Sequence, residues 1–343
     1  MYYISANLVI LNCVIWKKSM INSKKILSIT HEQDVDGLFC GAVLKNAFPK
    51  TLVFLTNYGH ENMNRIAKMI KFNVSRSNRN GTIVVSDMAV NNDLDVKLME
   101  EAAIESKSYG WDFIWLDHHV WNEEIKRKVE LFATLILSKD KKQKCAAEPI
   151  VERFALKRTA CNRMANIAHI IDFRLSEVHN LPPLPELITY CRSLPDVYNK
   201  LQSIVKKASK GVFWDEELQE DYEHRYLPLK ESAISSVMKS LSISIINGFV
   251  VGIAESTRIL SKSLASEKIF EENPDVTLVV FYSPHGKVSV RRKVGTDIKC
   301  DMIAHRLNGG GHSYAAAGVI KSHSELLKVP RVIKELQNIL KNS

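Results

Sequence analysis

Between Lys25 and Ser138, short β-branched runs take turns with longer amphipathic ones, and that alternation limits the fold more than any other feature of the sequence. "KILSIT" precedes "GLFCGAVLKNAF", "LVFLTN" precedes "ENMNRIAKMIKF", "TIVVSD" precedes "LDVKLMEEAAIESK", and "DFIWLD" comes next. Strand and helix in turn give an α/β domain with a mostly parallel sheet and helices on both faces. The order of the strands cannot be read from the alternation. What can be read is how the strands end: three of them run into acids, Asp34 and Asp36 in "ILSITHEQDVDG", Asp87 in "TIVVSD", and Asp117 with His118 and His119 in "DFIWLDHH".

The rest of the chain divides around that domain. Residues 140–240 read as largely helical, with Pro182, Pro183 and Pro185 marking a loop, and the charge-dense "WDEELQEDYEHRYLPLKES" (214–232) reads as an exposed helix or connector. After residue 241 come "GFVVGIAES", "VTLVVFYS" and "KVSVRRK", the glycine-rich "LNGGGHSYAAAG" and a closing amphipathic "SELLKVPRVIKELQNIL", which together suit a second, smaller α/β domain. The expected division is an N-terminal extension (1–21), a first domain (22–213), a helical connector (214–240) and a second domain (241–343), with the active site in a cleft between the domains.

A chain of 343 residues is long enough for two cores, and its net charge of +9 tilts the choice of partner towards a polyanion such as nucleic acid. The six cysteines include no C-x-x-C pair, which argues against a zinc ribbon or a disulfide framework. "ANLVILNCVIW" (6–16) is well short of the roughly 18 apolar residues a membrane span needs, so a cytoplasmic protein without membrane attachment is expected. The basic runs 126–128 and 139–144 are read as solvated. Trp111 and Trp115 share a strand face and are read as core, and Trp121 as packing rather than base stacking.

In an open parallel sheet the carboxyl ends of the strands share one edge, where ligands bind. Asp34, Asp36, Asp87 and Asp117 should therefore converge. Each alone has an ordinary explanation: Asp34 and Asp36 as a turn closed by Gly37, Asp87 as a helix cap. Together, four like charges in one crevice are costly unless cations join them, and carboxylate oxygens with imidazole nitrogens suit a divalent metal. Two such ions roughly 3.5–4 Å apart promote phosphoryl transfer. Oxygen ligands favour Mg2+, and imidazole moves the preference towards Mn2+, Co2+ or Zn2+; two Mn2+ ions are the first expectation, with Mg2+ or Co2+ as alternatives. In extended geometry His118 and His119 point to opposite sides, so only one of them is expected to be a direct ligand.

The ordered set D-x-D-G, strand-Asp, D-H-H, a later Asp and a C-terminal GGGH resembles the DHH phosphoesterase superfamily over about residues 24–325. That group includes RecJ-type exonucleases, nanoRNases and cyclic-dinucleotide phosphodiesterases. The resemblance implies that Asp34 serves one metal, that Asp36 and His118 serve the other, and that Asp87 bridges them. Asp172 would complete the ligand shell of the second ion, Asp117 would hold its neighbouring histidine or touch a metal, and His119 would sit by the scissile phosphate. His31 would be a further ligand, although it stands one residue closer to Asp34 than the upstream histidine of other members. His169, one turn before Asp172, is read as a buried structural histidine.

In the second domain, Arg291 would grip a non-scissile phosphate, with Gly309, Gly310, Gly311 and His312 forming a phosphate-approaching loop. Arg292 would be solvated. This chain reads H-S-Y-A-A-A-G where the family has H-x-x-A-A-G, one residue longer.

The implied activity is a metal-dependent phosphodiesterase acting on single-stranded or short oligonucleotides. The alternatives are a small-nucleotide phosphatase or cyclic-dinucleotide phosphodiesterase, and a non-catalytic replication scaffold of the same fold. The implied partners are single-stranded nucleic acid and a protein of replication or repair.

Overall fold

The computed structural model describes residues 25–77, 80–90, 92–138, 144–320 and 327–340. The expected extension 1–21 and most of the basic run 139–144 lie outside these residues. The chain forms two compact units: residues up to Leu181 with Tyr198–Phe213, and Pro182–Val197 with Trp214 onward.

The first unit is built on five strands: β1 (Lys25–His31), β2 (Leu52–Thr56), β3 (Gly81–Ser86), β4 (Asp112–Asp117) and β5 (Thr134–Leu137). All pairings are parallel, in the order β2-β1-β3-β4-β5. Strands covered on both faces are apolar throughout rather than alternating, and β3 is buried at every position. One face packs Leu27, Ile29, Ile83, Val85, Trp111, Phe113 and Trp115 against the helices His60–Ser75 and Asp93–Ser108.

The opposite face takes the helix Val35–Ala47, which is buried on nearly all sides because further helices cover it. Gly37 lets that helix approach β1: a Cβ there would stand 2.3 Å from the His31 carbonyl oxygen. The chain reverses direction between β1 and β3, and an open α/β sheet of this order binds ligands outside the carboxyl ends at that reversal.

The second unit holds a six-stranded mixed sheet, β10-β11-β9-β8-β7-β6, more strands than the three runs read from the sequence. β6 (Ser242–Ile246) pairs antiparallel with β7 (Phe249–Glu255) through an Asn247-Gly248 turn. Both turn residues have positive φ, 50° and 83°, as a two-residue hairpin of this type requires. The helix Lys262–Glu272 crosses from β7 to the parallel β8 (Leu278–Tyr282), and β9 (Lys287–Arg292) follows antiparallel.

The glycine run is not a free loop. Gly310–Gly311 form β10 against β11 (Ala315–Val319), and β11 pairs with β9 so that Ala315 faces Arg291. The segment 214–232 is not a merely exposed connector either. It folds as Glu216–Glu220, a π-helical turn Asp221–Tyr226 and the start of Leu227–Ser240, with Tyr226 fully buried against Tyr190 and Tyr222. No helix among the described residues is long and apolar enough to cross a membrane.

Candidate metal centre

Each strand flanking the reversal contributes side chains as it ends. β1 closes on His31, and Asp34 caps the following helix by accepting the Gly37 N–H at 3.0 Å. Asp36 therefore does not lie in a loop, as the D-x-D-G spacing suggested, but in the first helical turn, where it is buried. Its two oxygens accept the backbone N–H groups of Ala146 and Ala147 at 2.6 and 2.9 Å. The turn that presents those amides is held by Glu148, which accepts the Cys145 N–H at 2.9 Å and meets His169 Nδ1 at 2.8 Å. His169 is thus a structural partner, half-buried rather than enclosed.

Asp87 follows β3 in left-handed backbone, φ 56°, with only 1% of its surface exposed. β4 ends at Asp117, and the chain then leaves the extended geometry. The two histidines consequently do not diverge: their ring centroids lie 4.4 Å apart, and both face Asp87 Oδ1, His118 through Nε2 at 3.3 Å and His119 through Nδ1 at 4.0 Å. Asp117 is fully buried, with one oxygen at 2.8 Å from His119 Nδ1 and the other accepting the Trp121 indole N–H at 2.7 Å. Trp121 is buried and acts through that hydrogen bond, a role beyond packing.

Three overlapping groups result, each able to present ligand atoms within 4.8 Å of one another: His31, Asp34 and Asp87; Asp36, His118 and Asp172; and Asp87, Asp117, His118 and His119. Asp172 reaches the centre from the end of the helix Thr159–Asp172, 3.5 Å from His118 Nδ1.

Electrostatics bind the groups together. Burial works against a charged His31 ring, yet the carboxylates of Asp34 and Asp87, 3.3 and 3.7 Å from its Nδ1, outweigh it and raise the ring to about 10. Burial likewise opposes His118, but Asp87 and Asp36 raise it to about 11. Asp117, despite its burial, is held near 2 by His119. Burial and then Asp87 push Asp36 well above the usual carboxylate range, and burial pushes Asp172 up to about 6. Too many carboxylates share this pocket for all to ionise without cations beside them.

The donor set fits a divalent metal on a second ground. His31 Nδ1 and Nε2, Asp87 Oδ2 and Asp172 Oδ2 are buried without a hydrogen-bond partner. Buried polar atoms are rarely left in that condition unless a bound group completes them.

In the second unit, Arg291 is half-buried and its guanidinium donates to the Val290 carbonyl at 2.9 Å. Arg292 is half-buried too, donating to the Thr296 carbonyl, so it is not the solvated residue the alternation implied. His312 lies in a tight turn closed by its own N–H to the Ala315 carbonyl at 2.8 Å, its ring stacked on Tyr314 at 5.2 Å.

The residue that sequence reasoning missed is Tyr58, on the loop after β2, whose ring lies 4.9 Å from that of His31 and 6.4 Å from that of His119. Its only signal was position: it follows the strand beside β1.

Residues 247–342 match the DHHA1 domain. A protein of Helicobacter pylori named 3′,5′-cyclic-nucleotide phosphodiesterase is 23% identical over 352 residues, covering 90% of this chain and 97% of its own. Among solved structures, an exopolyphosphatase-related protein from Bacteroides fragilis shares the fold, with a TM-score of 0.55 at 14% identity over 96% of this chain and 95% of its own. A pGpG-specific phosphodiesterase from Vibrio cholerae aligns at 11% identity with a TM-score of 0.46, over 94% of this chain and 100% of its own. The chain thus carries, over residues 247–342, a DHHA1 domain, the C-terminal domain found in the DHH superfamily, alongside the aspartates and histidines gathered behind β1, β3 and β4.

Proposed function

We propose that the protein is a metal-dependent phosphodiesterase acting on short nucleotide substrates, dinucleotides or short oligonucleotides, at the centre around Asp87. The observation that carries this reading is that one buried carboxylate, Asp87, lies at the meeting point of two ligand groups, His31 with Asp34 and His118 with Asp36 and Asp172. Those six residues would hold two divalent cations, Mn2+ by preference for a mixed oxygen and imidazole set. Such ions, when bound, neutralise charge on a phosphodiester and acidify a water.

The chain's own groups do the rest. Asp117 stays ionised and fixes His119 through Nδ1, with Trp121 holding the other carboxylate oxygen. Burial works against a charged His119 ring, and the Asp117 carboxylate raises its pKa against that effect. The His119 imidazole so oriented would meet a phosphate oxygen, while Asp117 acts as a positioning residue. In the second unit, Arg291 and the Gly309, Gly310, Gly311 and His312 turn would take a further phosphate, since a planar guanidinium and a backbone with little side-chain cover both suit that anion.

Short substrates are favoured over long strands by the Helicobacter relative, whose name is that of an enzyme for cyclic nucleotides. A non-catalytic scaffold fits less well, because it would have no use for buried acids and imidazoles that lack hydrogen-bond partners. The test is hydrolysis of a labelled dinucleotide with Mn2+. Asp87→Ala and His118→Ala should each lower kcat/KM by a factor of 100 or more, and unchanged activity in either would refute the assignment.

A further inference from the structure

Among the described residues, the Tyr58 ring packs against both His31 and His119 and also reaches solvent. Its contacts to His31 and His119 are edge-type, with interplanar angles of 64° and 87°, so neither imidazole covers the phenol in parallel. The residue remains 38% exposed, whereas the His31, Asp36, Asp87 and His118 side chains are buried. Its backbone is fixed from several sides. The Tyr58 N–H donates to Asn57 Oδ1 at 2.8 Å, and Gln33, from the loop that carries Asp34, donates to the same oxygen. Asn62 donates to the Tyr58 carbonyl at 3.0 Å, and Gly59 supplies the positive φ of 112° that turns the chain into the next helix.

The phenol end of Tyr58 is buried, and that burial, followed by the charge of Asp117, pushes its pKa up, so the exposed part of the residue lies beside the acids of the centre. Val120, which follows His119 in the chain, is 81% exposed while the next residue, Trp121, is buried. Single exposed apolar residues are ordinary. Here Tyr58 and Val120 both adjoin His119, Tyr58 through its ring and Val120 as the next residue of the chain, in a cluster otherwise made of charged groups.

We infer that Tyr58 and Val120 form a wall against which the nucleobase of the substrate packs, one ribose away from the phosphate at the Asp87 centre. The inference rests on the phosphodiesterase reading and narrows it, because a polyphosphate or sugar phosphate has no base to place there. Aromatic side chains accept any base by its π-face. The wall therefore implies selection for nucleotides as a class, with weak discrimination among bases.

The experiment compares AMP with ribose 5-phosphate by calorimetry on the full-length, Mn2+-loaded protein. AMP should bind about tenfold or more tightly, the usual range for one stacked base. Tyr58→Ala should bring AMP down to the affinity of ribose 5-phosphate, Tyr58→Phe should preserve the difference, and Val120→Ser, an exposed change that leaves folding alone, should narrow it. Mn2+ uptake should be the same in all three variants. Equal affinities in the unaltered protein, a preference for AMP that survives Tyr58→Ala, or loss of Mn2+ uptake in Tyr58→Ala would each overturn the inference, the last by making Tyr58 a support for His31. A protein that prefers AMP yet cleaves no dinucleotide would contradict the parent reading and leave this one standing.

Discussion

Asp87 occupies a backbone region that costs most L-residues roughly 1–2 kcal/mol and that aspartate tolerates better than most. Strain of this kind persists where the surroundings over-determine it, and here it turns a carboxylate at the end of β3 towards His31 and His118. The two histidines then decide how the metal-free centre responds to pH. Both have pKa values raised from about 6.5, His31 to about 10 and His118 to about 11, because Asp34, Asp36 and Asp87 hold their protons on. A group whose pKa is higher in the folded state adds stability that is complete below its unfolded pKa and is lost as pH climbs through the folded value. The chelator-stripped protein should therefore show a falling Tm between about pH 6.5 and pH 10, measured by thermal melts. A Tm that rises over that window would contradict the pairing. Bound metal must displace these protons, so the same melts with Mn2+ present should rise with pH relative to the stripped protein.

At the scale of elements, the glycine run separates residues the fold requires from one it does not. A Cβ on Gly309 would stand 1.9 Å from the Ala317 carbonyl oxygen, whereas one on Gly310 would meet nothing within 4 Å. Gly309→Ala should cost about 1–3 kcal/mol or more in urea denaturation, and Gly310→Ala should stay within about 0.5 kcal/mol. Equal losses would mean that β10 does not lie on β11 as described. The same contrast explains what was legible in the sequence. Strands buried on both faces announce themselves as apolar runs, and their acidic endings put Asp34, Asp87 and Asp117 at one edge before any coordinates. The order β2-β1-β3-β4-β5 depends on pairings between distant segments and leaves no local trace. Asp36 was read as a loop residue because its amide partners, Ala146 and Ala147, lie more than 100 positions away. The expected divergence of His118 and His119 assumed that the strand continued past Asp117, which it does not. Tyr58 carries no acid or imidazole to draw notice, and β6, "SISII", is too short and too polar on one side to stand out.

For the whole molecule, a net charge of +9 would suit a long polyanion, and the short-substrate reading has to survive that fact. Each phosphate of a single strand gripped by the protein adds about 0.7 to the slope of log affinity against log salt. The slope of log kcat/KM should be shallow and nearly the same for a dinucleotide and for a long single strand; a slope that steepens several-fold with length would mark a strand-tracking enzyme. Beneath either outcome lies the claim that acids from three strand ends hold divalent cations in common. Calorimetric titration of the chelator-stripped protein with Mn2+ tests it most directly. Uptake of two ions per chain, lost together in Asp87→Asn, is the predicted result. No uptake by the unaltered protein, or uptake by Asp87→Asn that matches it, would contradict the account.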